Sequence, residues 1–224
     1  MCFRRKSDLA DYRTIESLKP EPNTSILKLR NSVNVYIIED DPSFTVEGFS
    51  KLGYNNVTVH REAEDVAEYK MFDIILCDIH GIANDCSSNE EGLAFAKQLN
   101  KLYPCTEIYI YTGQNVRNFG STDGLPVIHK PKTKAELAEI FDKSIRNMID
   151  PSYIWNKFYR FLYENKIKPK DIVLIEDRFV RAYEGKTRFD VPQIARGDIN
   201  DAVSNAARFV GIAAAAFTKE ICSQ

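Results

Sequence analysis

The sequence predicts an α/β fold: a doubly wound sheet of five parallel strands, followed by a smaller all-α domain. Three observations lead there. Between residues 33 and 147, short apolar runs rich in β-branched residues alternate five times with other segments, several of helical periodicity. The runs are apolar on both faces, as strands covered by helices on each side must be. From residue 151 onward, apolar residues recur only at helical spacing.

Taken in order, residues 1–32 are polar and form an N-terminal extension. A short helix is expected around residues 8–18, and "KPEPNTS" (19–25) reads as a linker. The first strand is "VNVYIIED", beginning at Val33. "SFTVEGFSKLG" offers Phe44, Phe49 and Leu52 with Gly53 as a stop, which predicts a modest helix. "NVTVHRE" alternates as a strand, "AEDVAEYK" reads as a short polar helix, and "FDIILCD" is the next buried strand. In "EEGLAFAKQLNKLYP", Leu93, Ala96, Leu99 and Leu102 share a helical face that ends before Pro104. "EIYIYTG" and "LPVIHKP" are the last two strands; the segment between them, "GQNVRNFGSTDGLP", is a poor helix. "TKAELAEIFDKSIRNM" then repeats Leu137, Ile140, Phe141, Ile145 and Met148 at helical spacing. The sheet domain is placed at residues 33–148.

Residues 151–224 read as the helical domain. "PSYIWNKFYRFLYENK" carries Ile154, Trp155, Phe158, Phe161 and Leu162 on one face. "PKDIVLIEDRFVRAYEG" carries Ile172, Ile175 and Phe179 and stops at Gly185. Its "VLIED" echoes the first strand, but no strand–helix alternation follows, so it belongs to a helix. "DVPQIARG" reads as a short helical turn. The last helix keeps Ile199, Val203, Ala206, Val210, Ala214, Phe217 and Ile221 on one stripe.

Composition narrows the function classes. The most apolar run, "FVGIAAAAF" (209–217), is shorter than the roughly 18 residues a membrane span needs, so no membrane partner is expected. The N-terminus has basic residues without an apolar stretch behind them, unlike a secretory signal. Five scattered cysteines with no C-x-x-C pair fit reduced thiols in a cytoplasm. Charge is uneven: residues 1–32 hold seven Lys/Arg against four Asp/Glu (+3), residues 33–147 eleven against eighteen (−7), and residues 151–224 twelve against nine (+3). The acidity lies with the sheet.

In sheets of this kind functional groups stand at the C-terminal strand ends. Here the first strand ends in Glu39, Asp40 and Asp41, the third in Asp78, the fourth in Thr112 and the fifth in Lys130. Clustered carboxylates repel, and a hard divalent cation such as Mg²⁺ answers that repulsion with one or two carboxylates and several waters. A further carboxylate can then act as a nucleophile toward phosphorus. A lysine and a hydroxyl would neutralise and hydrogen-bond the transferring group.

Through "IIEDDP", "IILCD", "YIYTG" and "IHKP", residues 33–147 resemble the receiver domains of two-component response regulators. The resemblance implies a flavodoxin-like fold and phosphorylation of Asp78 by a histidine kinase, a phosphotransfer protein or a small phosphodonor. It implies Mg²⁺ held by Glu39, Asp40, Asp78 and the backbone carbonyl of His80. Thr112 and Lys130 would stabilise the phosphoryl group, and the Lys130–Pro131 bond would be cis. Catalysis would be confined to the domain's own phosphorylation and dephosphorylation; a pseudo-receiver scaffold and a Mg²⁺-dependent phosphatase-like enzyme are the alternative readings. Asp41 is read as a helix cap, His129 as a packed strand residue and Cys77 as core. The chain departs from the family where "HGIANDCSSNEEG" lacks a proline after Asp78 and where Val127 replaces a common aromatic. Those departures point the signal through residues 81–90 and 113–124 toward residues 151–224. The output is a protein partner or self-association; with Arg188, Arg196 and Arg208 spread apart, DNA is not favoured.

Overall fold

The computed structural model of the chain describes residues 12–18, 25–63, 65–79, 91–115, 120–185, 187–191 and 198–221, without the side chains of 91, 198 and 214–221. The chain divides into two compact units, Thr24–Asn147 and a second formed by Met1–Asn23 with Met148–Gln224.

The first unit begins with α1 (Ile26–Arg30) and holds β1 (Asn34–Ile38), β2 (Asn56–His60), β3 (Ile74–Asp78), α2 (Glu91–Leu102), β4 (Glu107–Thr112), β5 (Val127–His129) and most of α3 (Lys134–Met148). The strands form one sheet in the order β2-β1-β3-β4-β5, and every pairing is parallel. This is the predicted five-stranded parallel α/β sheet. Central strands β1 and β3 are buried almost throughout, while edge strand β2 is half-exposed. Tyr36, Ile38, Ile75, Cys77, Ile108 and Ile110 point to one face, where Leu93, Ala96 and Leu99 of α2 cover them. Cys77 is therefore core, as expected. On the other face Tyr109 Oη lies 2.5 Å from Ser144 Oγ of α3, and Phe141 of α3 stacks on Phe49 with centroids 6.1 Å apart. Burying each such aliphatic or aromatic side chain contributes about 1.5 to 3 kcal/mol.

Two helices expected from the sequence are shorter and tighter. Residues 43–53 contain only a 3-10 turn, Ser50–Leu52, capped by Gly53 at φ +89°. Gly48 sits at φ +93°, a left-handed conformation that interrupts helical growth across the segment. The polar segment before β3 is likewise a 3-10 helix, Val66–Met71, with the Asp65 carboxylate accepting the Ala67 N–H. It buries Tyr69 alone, too little apolar surface to stabilise a longer helix. Between β4 and β5 no helix occurs among the described residues. His129 lies in β5 as expected, but its side chain is exposed rather than packed.

The second unit contains α4 (Pro151–Glu164), α5 (Pro169–Gly185) and α6 (Asp198–Ile221). Asp150 caps α4 by accepting the Ser152 N–H at 2.8 Å, with Pro151 just inside the helix. Ile154, Trp155, Phe158, Phe161 and Leu162 are buried, as are Ile172, Ile175 and Phe179 of α5. Trp155 and Phe179 meet across that helix pair at 5.3 Å. In α6 the expected stripe is buried in part: Ala206 and Val210 are buried, whereas Ile199 and Val203 are half-exposed. Ala202, Phe209 and Ala213 are buried beside them. The expected side chains Ala214, Phe217 and Ile221 and most of "DVPQIARG" lie outside the described residues.

Where the sequence suggested a helix over 8–18, the described part holds only a 3-10 turn, Ile15–Ser17. This segment packs on α4 and α5. The Arg13 N–H donates to Asp177 Oδ1 at 2.9 Å, the Ile15 N–H to Glu176 Oε1 at 2.9 Å, and the Arg13 guanidinium pairs with Glu184. Among the described residues no helix is long and apolar enough to cross a membrane.

Candidate functional site

Parallel strands beginning on one side of a sheet deliver their last residues to the same rim, and here that rim is acidic. Ligand atoms of Glu39, Asp40 and Asp78 lie within 4.8 Å of one another. Glu39 and Asp78 are buried and Asp40 is exposed. Asp78 Oδ1 accepts the N–H of Ile79 at 2.6 Å, which orients the carboxylate at the strand end.

Lys130, just past β5, ties the acids together. Its Nζ donates to Asp78 Oδ2 at 2.5 Å and to Glu39 Oε1 at 2.6 Å. Its backbone N–H is fixed by the Thr112 carbonyl at 2.8 Å, and the bond to Pro131 is cis. Burial alone would lower the Lys130 pKa, but the hydrogen bonds to Asp78 and Glu39 carry it above the ordinary lysine value. Burial raises the Glu39 pKa, opposed by the hydrogen bond from Lys130 and reinforced by the charge of Asp78. Counted formally as ionised, the three clustered carboxylates outnumber the one ammonium that bonds among them.

The donor set fits a hard cation. Glu39 Oε2 is buried without a hydrogen-bond partner, although its sister oxygen accepts from Lys130 and from the Asp41 N–H. A buried carboxylate oxygen left unsatisfied costs free energy unless a cation or donor meets it. All-oxygen ligands with one exposed member suit Mg²⁺, which keeps several waters. His80, expected to add its carbonyl, lies outside the described residues.

Thr112 reaches the same end of the sheet but is not in direct register with Asp78. The ladder sets Tyr111 opposite Asp78, and Thr112 one residue further on. The Thr112 hydroxyl accepts the Gln114 N–H at 3.1 Å. Asp41 accepts the Ser43 N–H at 2.8 Å, and its hydrogen bonds with Ser43 lower its pKa. This is a local turn rather than the expected helix cap, since the helix it would have capped does not form.

An open cleft of about 540 Å³ runs beside the acids, lined by Glu39, Asp40, Phe44, Tyr111, Lys130 and Lys134 among others. Sequence reasoning assigned no role to Phe44 or Tyr111, since both read as ordinary apolar positions. Gly92 was missed as well. A Cβ there would stand 2.0 Å from the carbonyl oxygen of Asp78 and 2.7 Å from the Ile79 Cα. The glycine lets α2 press against the backbone that carries the acid.

No protein-family model matches the chain, and no curated protein matches it.

Proposed function

We propose that residues 33–148 act as a receiver in which Asp78 takes a phosphoryl group from a histidine kinase, a phosphotransfer protein or a small phosphodonor. Residues 151–224 would then serve as a smaller all-α output module. The observation that carries the reading is the Lys130 ammonium shared between Asp78 Oδ2 and Glu39 Oε1, with Asp40 beside them. An acid cluster able to hold a cation, a strand-end carboxylate and a lysine beside it are groups that phosphoryl transfer to a carboxylate can use.

In the proposed step a carboxylate oxygen of Asp78 attacks phosphorus. The donor's P–N or P–O bond breaks, its electron pair leaves with the donor, and the donor takes up a proton where its basicity requires one. The product is a mixed anhydride on Asp78. Glu39, Asp40 and Asp78 would hold Mg²⁺, with the His80 carbonyl as a further ligand. Bound Mg²⁺ supplies positive charge to the phosphoryl oxygens. Lys130 would neutralise a second oxygen, since its ammonium already stands against Asp78. Thr112, whose hydroxyl oxygen accepts the Gln114 N–H, would donate its hydroxyl proton to a third.

The relay to residues 151–224 is proposed to pass through residues 81–90 and 113–124; residues 81–90 and 116–119 lie outside the described residues. The partner is a protein or a second copy of the chain, rather than DNA or membrane. The buried thiols of Cys77 and Cys105 support the reading of a reducing cytoplasm.

Incubation with acetyl phosphate and Mg²⁺, followed by intact mass, tests the reading. One phosphoryl group should add to the wild type and none to Asp78→Asn. Label persisting in that variant would sink the assignment.

A further inference from the structure

Tyr111 is the aromatic residue set directly against Asp78 by the sheet register, and it is buried. Lys130 Nζ stands 5.0 Å from its ring centroid while donating to both Asp78 and Glu39. The Tyr111 hydroxyl accepts the backbone N–H of Lys132 at 3.2 Å, two residues beyond that lysine. On its other side the ring meets Phe44 nearly edge-on, with centroids 6.2 Å apart. One side chain thus touches the ammonium, the turn that carries the ammonium, and the segment that follows the acid pair.

A lysine on a four-carbon stem has many rotamers, and holding it at one point costs conformational entropy. An aromatic face offers the ammonium an attraction that needs no charge and does not compete for its hydrogen atoms. A carboxylate in the same place would add to an already crowded acid cluster. An aliphatic side chain would give packing without direction. Tyrosine adds a hydroxyl that holds the backbone of residues 130–132 from the same side.

We propose that Tyr111 is a positioning residue for Lys130: its ring holds the ammonium toward Asp78 and Glu39, and its hydroxyl holds the turn from which the lysine extends. The placement stands on geometry alone; only its kinetic consequence rests on Asp78 being the phosphoacceptor.

The test pairs a spectroscopic readout with a kinetic one on the full chain. Lysine-selective ¹³C labelling, with Lys130→Gln to assign the resonance, reports the ε-methylene protons of Lys130. They should be displaced upfield by the Tyr111 ring in wild type and in Tyr111→Phe. The displacement should vanish in Tyr111→Leu. With acetyl phosphate and Mg²⁺, Tyr111→Leu should slow labelling about tenfold, as expected for losing a desolvated cation–π contact. Tyr111→Phe should slow it only about two- to threefold, for one lost hydrogen bond.

An ordinary ε-methylene shift for Lys130 in the wild type would overturn the proposal, and that measurement needs no Tyr111 variant to fold. A folded Tyr111→Leu with the wild-type shift, or with the wild-type rate, would also overturn it. If wild type takes up no phosphoryl group, the Asp78 reading falls while the Lys130 shift still decides the role of Tyr111.

Discussion

The sheet unit holds two clusters built from the same chemistry, carboxylates hydrogen-bonded to a cation and walled by a tyrosine, and they are finished differently. In the first, Arg30 of α1 grips Asp142 of α3 through both oxygens, Nε to Oδ1 at 2.7 Å and Nη2 to Oδ2 at 2.5 Å. Tyr54 donates its hydroxyl to Oδ1 at 2.7 Å, and the third Arg30 nitrogen reaches the Leu52 carbonyl at 2.6 Å. One acid meets one base with every strong group satisfied. Burial alone would raise the Asp142 pKa, but the hydrogen bonds from Arg30 and Tyr54 bring it below the ordinary aspartate value. In the second cluster Glu39 and Asp78 share Lys130 with Asp40 beside them, Glu39 keeps an unsatisfied buried oxygen, and its pKa is raised. Saturation marks a staple; a deficit of positive charge marks a place for something else to bind.

The comparison can be broken most strongly at Gly92. In Gly92→Ala the new methyl overlaps backbone at Asp78 and Ile79, which cannot move as a side-chain tip can. We expect a loss of about 3 kcal/mol or failure to fold, measured by chemical denaturation. A loss below 1 kcal/mol would mean that α2 does not press on the strand end as described.

Next in size is the staple. Asp142→Ala leaves Arg30 and the Tyr54 hydroxyl without their shared acceptor and should cost about 2 kcal/mol. Acid should act through the same residue. A carboxylate with a depressed folded pKa contributes stability that is present above its unfolded value, near 3.9, and is lost as pH falls through the folded value. The melting temperature of Asp142→Asn should therefore fall less steeply below about pH 4 than that of wild type. Parallel curves would remove Asp142 from the account.

The smallest expected change is in the site itself. Asp78→Asn relieves one of three mutually repelling carboxylates while Lys130 keeps Glu39, so stability should change by less than about 1 kcal/mol. A loss as large as that of Asp142→Ala would make the acid cluster a second staple.

The two clusters also differ in how far the sequence reveals them. Glu39, Asp40, Asp78 and Lys130 were legible because each ends a strand, and a parallel sheet sends strand ends to one rim. β1 and β3 announced themselves by runs apolar on both faces. The Arg30–Asp142 pair joins residues 112 positions apart with no local pattern to mark either. Tyr111 stood inside a recognised motif, yet only the β3–β4 register shows that it faces Asp78. Gly92 looked like any residue at a helix start until its distance to the Asp78 carbonyl was known. The expected helix across residues 43–53 failed because periodic apolar residues could not outweigh the left-handed Gly48. Arg13 and Ile15 were read with a polar extension, although their backbone N–H groups are held by acids on α5.

The claim that the strand-end acids form a cation-binding site, and the Arg30 cluster does not, is tested most directly by titrating Mg²⁺ against the side-chain carboxyl ¹³C signals at constant ionic strength. The account predicts saturating shifts for Glu39, Asp40 and Asp78, with Asp142 unmoved. Stationary signals for the three acids, or an Asp142 shift of equal size, would contradict it.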